Sequence, residues 1–297
     1  MEFVSLRTVR NLLEMIRFSH TLFALPFALL SAALAWKEKD EFSWIEFFGI
    51  VACMVFARSA AMSFNRIVDQ RFDAANPRTA GRHLPSRQLK VGHAWVFTFF
   101  CSIGFVASTL VFLARNNPWP IILSVPVLIF IGGYSFSKRF TALSHFWLGA
   151  SLMLAPVAAW IAICGPRHLE TPFVLGLAVL FWVAGFDILY ACQDLEFDRK
   201  VGLFSIPSRV GIRSSLWLAF ACHLVMLILL ICLWAVSPFL GWIYLAGVGC
   251  VGILLAYEHW LVQPEDMTRV NQAFFHVNGV ISVGLLLVVL LQLAVHP

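Results

Sequence analysis

Apolar residues in this chain do not alternate with polar ones at a strand's period, and they do not mark a single stripe along amphipathic helices. They come in long runs separated by short polar connections. Nine runs can be drawn, at roughly 19 to 36, 44 to 68, 93 to 113, 119 to 135, 142 to 163, 172 to 194, 214 to 235, 239 to 257 and 275 to 295. Each is about the length that crosses a bilayer core as helix. Lipid offers no water to a backbone N–H or C=O, so such runs predict helices that close their own hydrogen bonds. The expected fold is all-α, a polytopic membrane protein of nine transmembrane helices forming one membrane domain over residues 1–297. The stretch before the first run differs. There Arg7, Arg10, Glu14 and Arg17 interleave with Leu6, Val9, Leu13 and Ile16 at near-helical spacing, which predicts an interfacial helix. It is long and mixed in charge and no small-residue cleavage site follows, so the first run reads as a span rather than a removable signal peptide.

Composition agrees with the pattern. In 297 residues, 60% are hydrophobic and 12% charged, and mean hydropathy is +0.84, which excludes a soluble domain with a single core. Charge adds orientation. Sixteen of the 21 lysines and arginines, Arg66 at the end of the second run included, fall before the first run or in the second, fourth, sixth and eighth connections. Four fall in the other connections, and Arg58 lies inside a run. Positive residues stay on the cytoplasmic side, so the N-terminus is expected inside and the C-terminus outside a cytoplasmic (inner) membrane. The net charge of +5 then belongs mostly to one face, and no basic patch calls for nucleic acid. The seven cysteines stand singly within apolar runs and read as packing residues.

Candidate chemistry gathers where two runs end. Asn65, Asp69 and Asp73 are spaced four apart, so on a helix they share a face and can converge on a hard cation. Asn76-Pro77-Arg78-Thr79-Ala80-Gly81-Arg82 follows. A second stretch, from Asp187 through Tyr190, Asp194 and Asp198 to Arg199-Lys200, repeats the Asp-x-x-x-Asp step followed by cations. Carboxylates at the mouth of a membrane helix are expensive, and two such endings point to function. Both face the cytoplasm in the expected topology.

Other polar residues carry two readings each. Arg58, seven residues before Asn65, either anchors a substrate carboxylate or phosphate or forms a structural ion pair with a buried acid such as Asp187. The polar connection 74–92, with Arg78, Arg82, Arg87 and Lys90, is either a lid over a diphosphate or an ordinary positive-inside loop. Its counterpart after the second motif runs from Gly202 to Gly211. Tyr134 and Lys138 share a face at the end of the fourth run, beside Arg139, and suit either a substrate or the membrane interface. His20 reads as an interfacial side chain, and Glu258, His259, Asn271, Gln272 and His276 as a solvent-exposed group around the last connection.

Two aspartate clusters facing one cytoplasmic cavity, with cations beside them and an apolar interior behind, suit a substrate with a charged head and a greasy tail. An isoprenyl diphosphate has that form. Magnesium takes oxygen ligands, usually one or two carboxylates with phosphate and water, and can stabilise a departing diphosphate. A secondary anion transporter would also use charges in a duplicated helical bundle. Bunching of both acidic motifs at one face argues against alternating access.

These residues resemble the UbiA superfamily of intramembrane aromatic prenyltransferases. The resemblance spans essentially the whole chain and rests on Asn65-x-x-x-Asp69-x-x-x-Asp73, Asn76 to Arg82, Tyr134 to Arg139, and Asp187-x-x-Tyr190-x-x-x-Asp194-x-x-x-Asp198. It implies that Asp69, Asp73, Asp194 and Asp198 are catalytic and hold magnesium and diphosphate. Asn65 would support the first cluster, and Arg71, Lys138 and Arg139 would contact the diphosphate. An acceptor pocket would lie deeper, near Arg58, Asp187 and Tyr190. Within the superfamily the chain looks closest to the 4-hydroxybenzoate polyprenyltransferase type, which implies a polyprenyl diphosphate donor, an aromatic acid acceptor and a place in quinone synthesis. Ser19-His20 and Ser144-His145 stand where that type usually has Lys-Pro and Pro-Gln. His20-Thr21-Leu22-Phe23-Ala24-Leu25-Pro26 and Gln193-Asp194-Leu195-Glu196-Phe197-Asp198 resemble a branch associated with the alternative, futalosine route to menaquinone, which implies 1,4-dihydroxy-6-naphthoate as the acceptor.

Overall fold

A computed structural model describes residues 6–16, 23–263, 270 and 273–295. Among them every regular element long enough to cross a bilayer is helical, and eight helices have the length and apolar composition to do so. The helices are α1 (Leu6–Met15), α2 (Leu25–Lys39), α3 (Trp44–Val68), α4 (Gln70–Ala75), α5 (Val91–Thr109), α6 (Trp119–Ser137), α7 (Ser144–Cys164), α8 (Glu170–Ala191), α9 (Leu195–Val201), α10 (Ile206–Val236), α11 (Trp242–Leu261) and α12 (Asn278–Val295). The expected first span appears as α2, which is 15 residues long where described. His20 and the start of that run lie outside the described residues. Large apolar side chains point outward along the long helices, among them Ile129 on α6, Trp217 on α10 and Ile253 on α11. That is the surface lipid demands.

The chain divides into two compact units, Met1–Thr21 with Phe48–Phe136 and Leu22–Phe47 with Ser137–Pro297. In the first, α3 is held by α5 and α6. Ser63 Oγ donates to the Ala94 carbonyl at 3.2 Å and receives Thr98 Oγ1 at 2.9 Å, while Phe64 meets Phe136 edge-on. The connection 76–90 is not loose. Its Leu84 and Leu89 pack with Leu12, Met15 and Ile16 of the N-terminal segment and Ala94 of α5. Asn11 Nδ2 also donates to the Gln88 carbonyl at 3.2 Å, and His83 lies 3.4 Å from Glu14. Arg10, bonded to Glu14 at 2.7 Å, holds that exposed carboxyl below the usual carboxylate range. The expected interfacial helix is thus also the clasp of the arginine-rich connection.

The second unit is built on α8, which packs against both α7 and α10. Gly149 of α7 makes the approach possible: a Cβ there would stand 2.4 Å from the Leu180 carbonyl oxygen of α8. Phe27, Leu30, Leu34 and Ala35 make α2 a core helix, and Ser31 Oγ ties it to the Pro156 carbonyl of α7 at 2.7 Å. The helix α10 begins in a reciprocal capping box between Ser205 and Ser208 and is kinked at Gly211.

Candidate active site

The two acidic motifs have one local construction. An apolar helix, α3 or α8, runs to its end, and the first aspartate follows at a break. Asp69 has φ −89° and ψ 3°; Asp194 has φ −102° and ψ 7°. Both lie in the sparsely populated bridge region, where a helix path can be redirected without being lost. A short helix then carries the second aspartate, Asp73 on α4 or Asp198 on α9. The four-residue spacing expected of a continuous helix survives the break, since Asp73 N–H still donates to the Asp69 carbonyl at 2.8 Å. In the second copy Gly202 (φ +74°) ends α9, and the following amide of Leu203 returns to the Asp198 carbonyl at 2.9 Å.

Around the first motif, Asn65 Nδ2 donates to Asp69 Oδ2 at 2.9 Å, giving Asn65 the supporting position expected of it. Arg82 Nη1 donates to Asp73 Oδ1 at 2.6 Å, with Arg66 Nη1 at 3.9 Å from Oδ2. Arg66, Arg78 and Arg82 line a cavity of about 280 Å³ with Glu14 and His83. Arg71, expected at a diphosphate, is exposed on α4. The cations that reach Asp73 are instead one helical turn before the first aspartate and in the connection after the second. Arg58 sits half-buried within α3 and makes no ion pair or hydrogen bond with any described residue.

In the second unit, Lys138 lies within Coulombic reach of both Asp187 and Asp198, and the exposed Arg139 follows it. The Lys138 carbonyl accepts from the Phe204 amide at 2.7 Å, which ties the chain after α9 to Lys138 within the second unit. Asp187 and Tyr190 stand half-buried on the last turns of α8. Asp187 has a partner that sequence spacing does not reveal. His145 Nδ1 lies 2.6 Å from Asp187 Oδ2, and the imidazole is fully buried. Nothing near His145 in sequence signals this pairing across 42 residues.

The donor set fits a hard divalent cation. Each motif offers carboxylate oxygens, and Asp73 Oδ2 and Asp198 Oδ2 are buried without a hydrogen bond from any described residue. Asp73 is 7% exposed and Asp198 4%, so each holds an oxygen away from water that a cation would satisfy. Among the described residues no three His, Cys, Asp or Glu side chains gather as a closed metal site.

One expected surface group is buried. Glu258 is 1% exposed, its Oε1 accepting from Asn278 Nδ2 at 2.9 Å, and His259 is half-buried with Nε2 at 2.9 Å from His223 Nδ1. Asn278 in turn takes the indole N–H of Trp182 at 2.7 Å. A polar residue at the end of an apolar run is solvated or buried according to helix rotation, which composition does not encode. His276 is exposed as expected, while Asn271 and Gln272 lie outside the described residues.

Residues 24–280 match the sequence profile of the UbiA prenyltransferase family. The chain belongs to that family. This UbiA-family prenyltransferase is 31% identical over 243 residues to a 4-hydroxybenzoate octaprenyltransferase of Methylobacillus flagellatus, covering 80% of this chain and 79% of that one. Among solved structures it is similar to the apo form of a UbiA homolog from Aeropyrum pernix K1. The TM-score is 0.78 at 26% identity, over 94% of this chain and 98% of the other. It shares its fold with a UbiA homolog from Archaeoglobus fulgidus solved with DMAPP and Mg2+, at TM-score 0.69 and 18% identity over 96% and 99% of the two chains.

Proposed function

We propose that this UbiA-family enzyme moves a polyprenyl chain from polyprenyl diphosphate to an aromatic acid of the 4-hydroxybenzoate type in quinone synthesis, and that it requires magnesium. The observation that carries the reading is the twice-built motif, each copy with an aspartate at a helix break and a buried aspartate oxygen lacking a hydrogen bond. The name of the relative from Methylobacillus flagellatus supports the acceptor class.

Asp69, Asp73, Asp194 and Asp198 would hold the metal. Magnesium, when bound, would neutralise charge on the diphosphate as its bond to the allylic carbon breaks. Asn65 steadies Asp69 for this task. Lys138, Arg139 and the exposed Arg71 would contact the diphosphate. Arg58, which has no protein partner among the described residues, suits the carboxylate of the acceptor. Asp187 and Tyr190 serve the acceptor as well. One oxygen of Asp187 is taken by His145 and the other makes no hydrogen bond with a described residue, so it can receive one from an acceptor hydroxyl. New carbon–carbon bond formation then releases the ring proton of the acceptor.

A second acceptor, 1,4-dihydroxy-6-naphthoate, is the alternative: Ser144-His145 departs from the Pro-Gln common in the 4-hydroxybenzoate type, and the stretches from His20 to Pro26 and from Gln193 to Asp198 resemble the menaquinone branch that uses it. Nine spans with the N-terminus and both motifs on the cytoplasmic side of the inner membrane complete the reading. The test is prenylation by purified protein given a short prenyl diphosphate, magnesium and each acid in parallel. Product with one acid identifies the acceptor. Diphosphate bound with neither acid prenylated sends the search to other acceptors, and no diphosphate binding returns the transporter.

A further inference from the structure

His145 joins two parts of the second unit that the acidic motifs alone leave unconnected. Its Nε2 lies 3.3 Å from the Ile206 amide, the first N–H of α10. An amide can only donate, so Nε2 is the acceptor, and the hydrogen of the neutral ring sits on Nδ1, directed at Asp187 Oδ2 2.6 Å away. The imidazole is 0% exposed and has no freedom to serve another partner. Ile206 closes a segment anchored at two further points, where Leu203 N–H meets the Asp198 carbonyl and Phe204 N–H meets the Lys138 carbonyl. The buried hydroxyl of Ser205 caps α10 within that same segment. One ring therefore spans from Asp187 on α8 to the backbone that follows Asp198.

We propose that His145 is a positioning residue: a neutral two-point spacer that fixes the Asp187 carboxylate for the acceptor and registers it against the Asp198–Ile206 segment. It touches neither substrate. Its hydrogen bond selects which oxygen of Asp187 is left for an acceptor hydroxyl, and its acceptor nitrogen keeps the start of α10 in place while that selection is made. The part played by Asp187 rests on the acceptor reading above; the tie to Ile206 does not.

The test compares wild type with His145→Gln, His145→Asn and His145→Leu in detergent. A glutamine amide can donate to Asp187 and accept from Ile206, asparagine is too short to reach both, and leucine makes neither bond. Two readouts are taken: steady-state constants for acid and prenyl diphosphate separately, and hydrogen exchange of the 203–206 amides without substrate. Expected for leucine and asparagine is a fall in kcat/KM for the acid of about 10-fold or more, with a smaller change in KM for the diphosphate. Exchange at 203–206 should quicken in both, and glutamine should restore both readouts. Unchanged acid kinetics in the leucine variant, or glutamine as impaired as leucine in a folded protein, would overturn the proposal. If wild type prenylates no acid, the acceptor reading fails by itself. Exchange then decides the spacer, which is upheld if only glutamine keeps 203–206 protected and lost if all variants match wild type.

Discussion

At the scale of single residues, the site is a set of carboxylates and cations whose partners decide their use. Among the described residues, Asp73 Oδ2 and Asp198 Oδ2 are buried and accept no hydrogen bond, and Arg66, 3.9 Å from Asp73 Oδ2, answers only the first and only at a distance. Asp73→Asn and Asp198→Asn should therefore lower kcat by about 100-fold or more while leaving the protein inserted and folded. The check is turnover across a magnesium titration, in which higher magnesium recovers little of the loss. Arg58→Ala should raise the acceptor KM by about 10-fold or more and the prenyl-diphosphate KM much less, because a guanidinium with no partner among the described residues suits a carboxylate. Equal rises in both constants would take Arg58 out of the acceptor site. The aspartates were legible in the sequence because both members of each pair lie four residues apart on a local helix. His145 and Arg66 were not, since an imidazole 42 residues from its carboxylate and an arginine before its motif are brought to their partners only by packing.

Among the elements, what counts is how closely helices approach and what satisfies the polar groups between them. Gly149 lets α7 lie on the α8 backbone, and a branched side chain has no room at 2.4 Å from a carbonyl oxygen. Gly149→Val should cost about 1–3 kcal/mol by overpacking, read as a lower melting temperature in detergent. Asn278 holds Trp182 and Glu258 together, so Asn278→Leu leaves an indole N–H and a carboxyl oxygen buried without each other's bridge. The expected penalty is about 1–3 kcal/mol for each orphaned group, again checked by thermal unfolding. Helix positions were readable from run length alone. Their rotation was not: helices apolar on every side give no stripe to say which face is inside, and for that reason Glu258 read as solvated and proved to be core. The breaks at Asp69 and Asp194 were equally hidden, because their sequences are compatible with an uninterrupted helix.

For the whole molecule, the long apolar runs dictate an all-helical membrane protein, and eight helices among the described residues are long and apolar enough to cross a membrane, in keeping with that class. The orientation rests on the distribution of lysine and arginine. In a cysteine-free background, Arg167→Cys should react with a membrane-impermeant thiol reagent on intact cells and Thr8→Cys only after the cells are opened. The reverse pattern would turn the molecule over. The central claim is that the duplicated acidic motif is the engine of magnesium-dependent prenyl transfer, and one measurement addresses it directly: prenylation of an aromatic acid by purified wild type, Asp69→Ala and Asp194→Ala, each with magnesium and with chelator. The account predicts product from wild type with magnesium alone, and none from either variant although both remain inserted. Turnover that survives the chelator, or near-normal turnover in both variants, would contradict it.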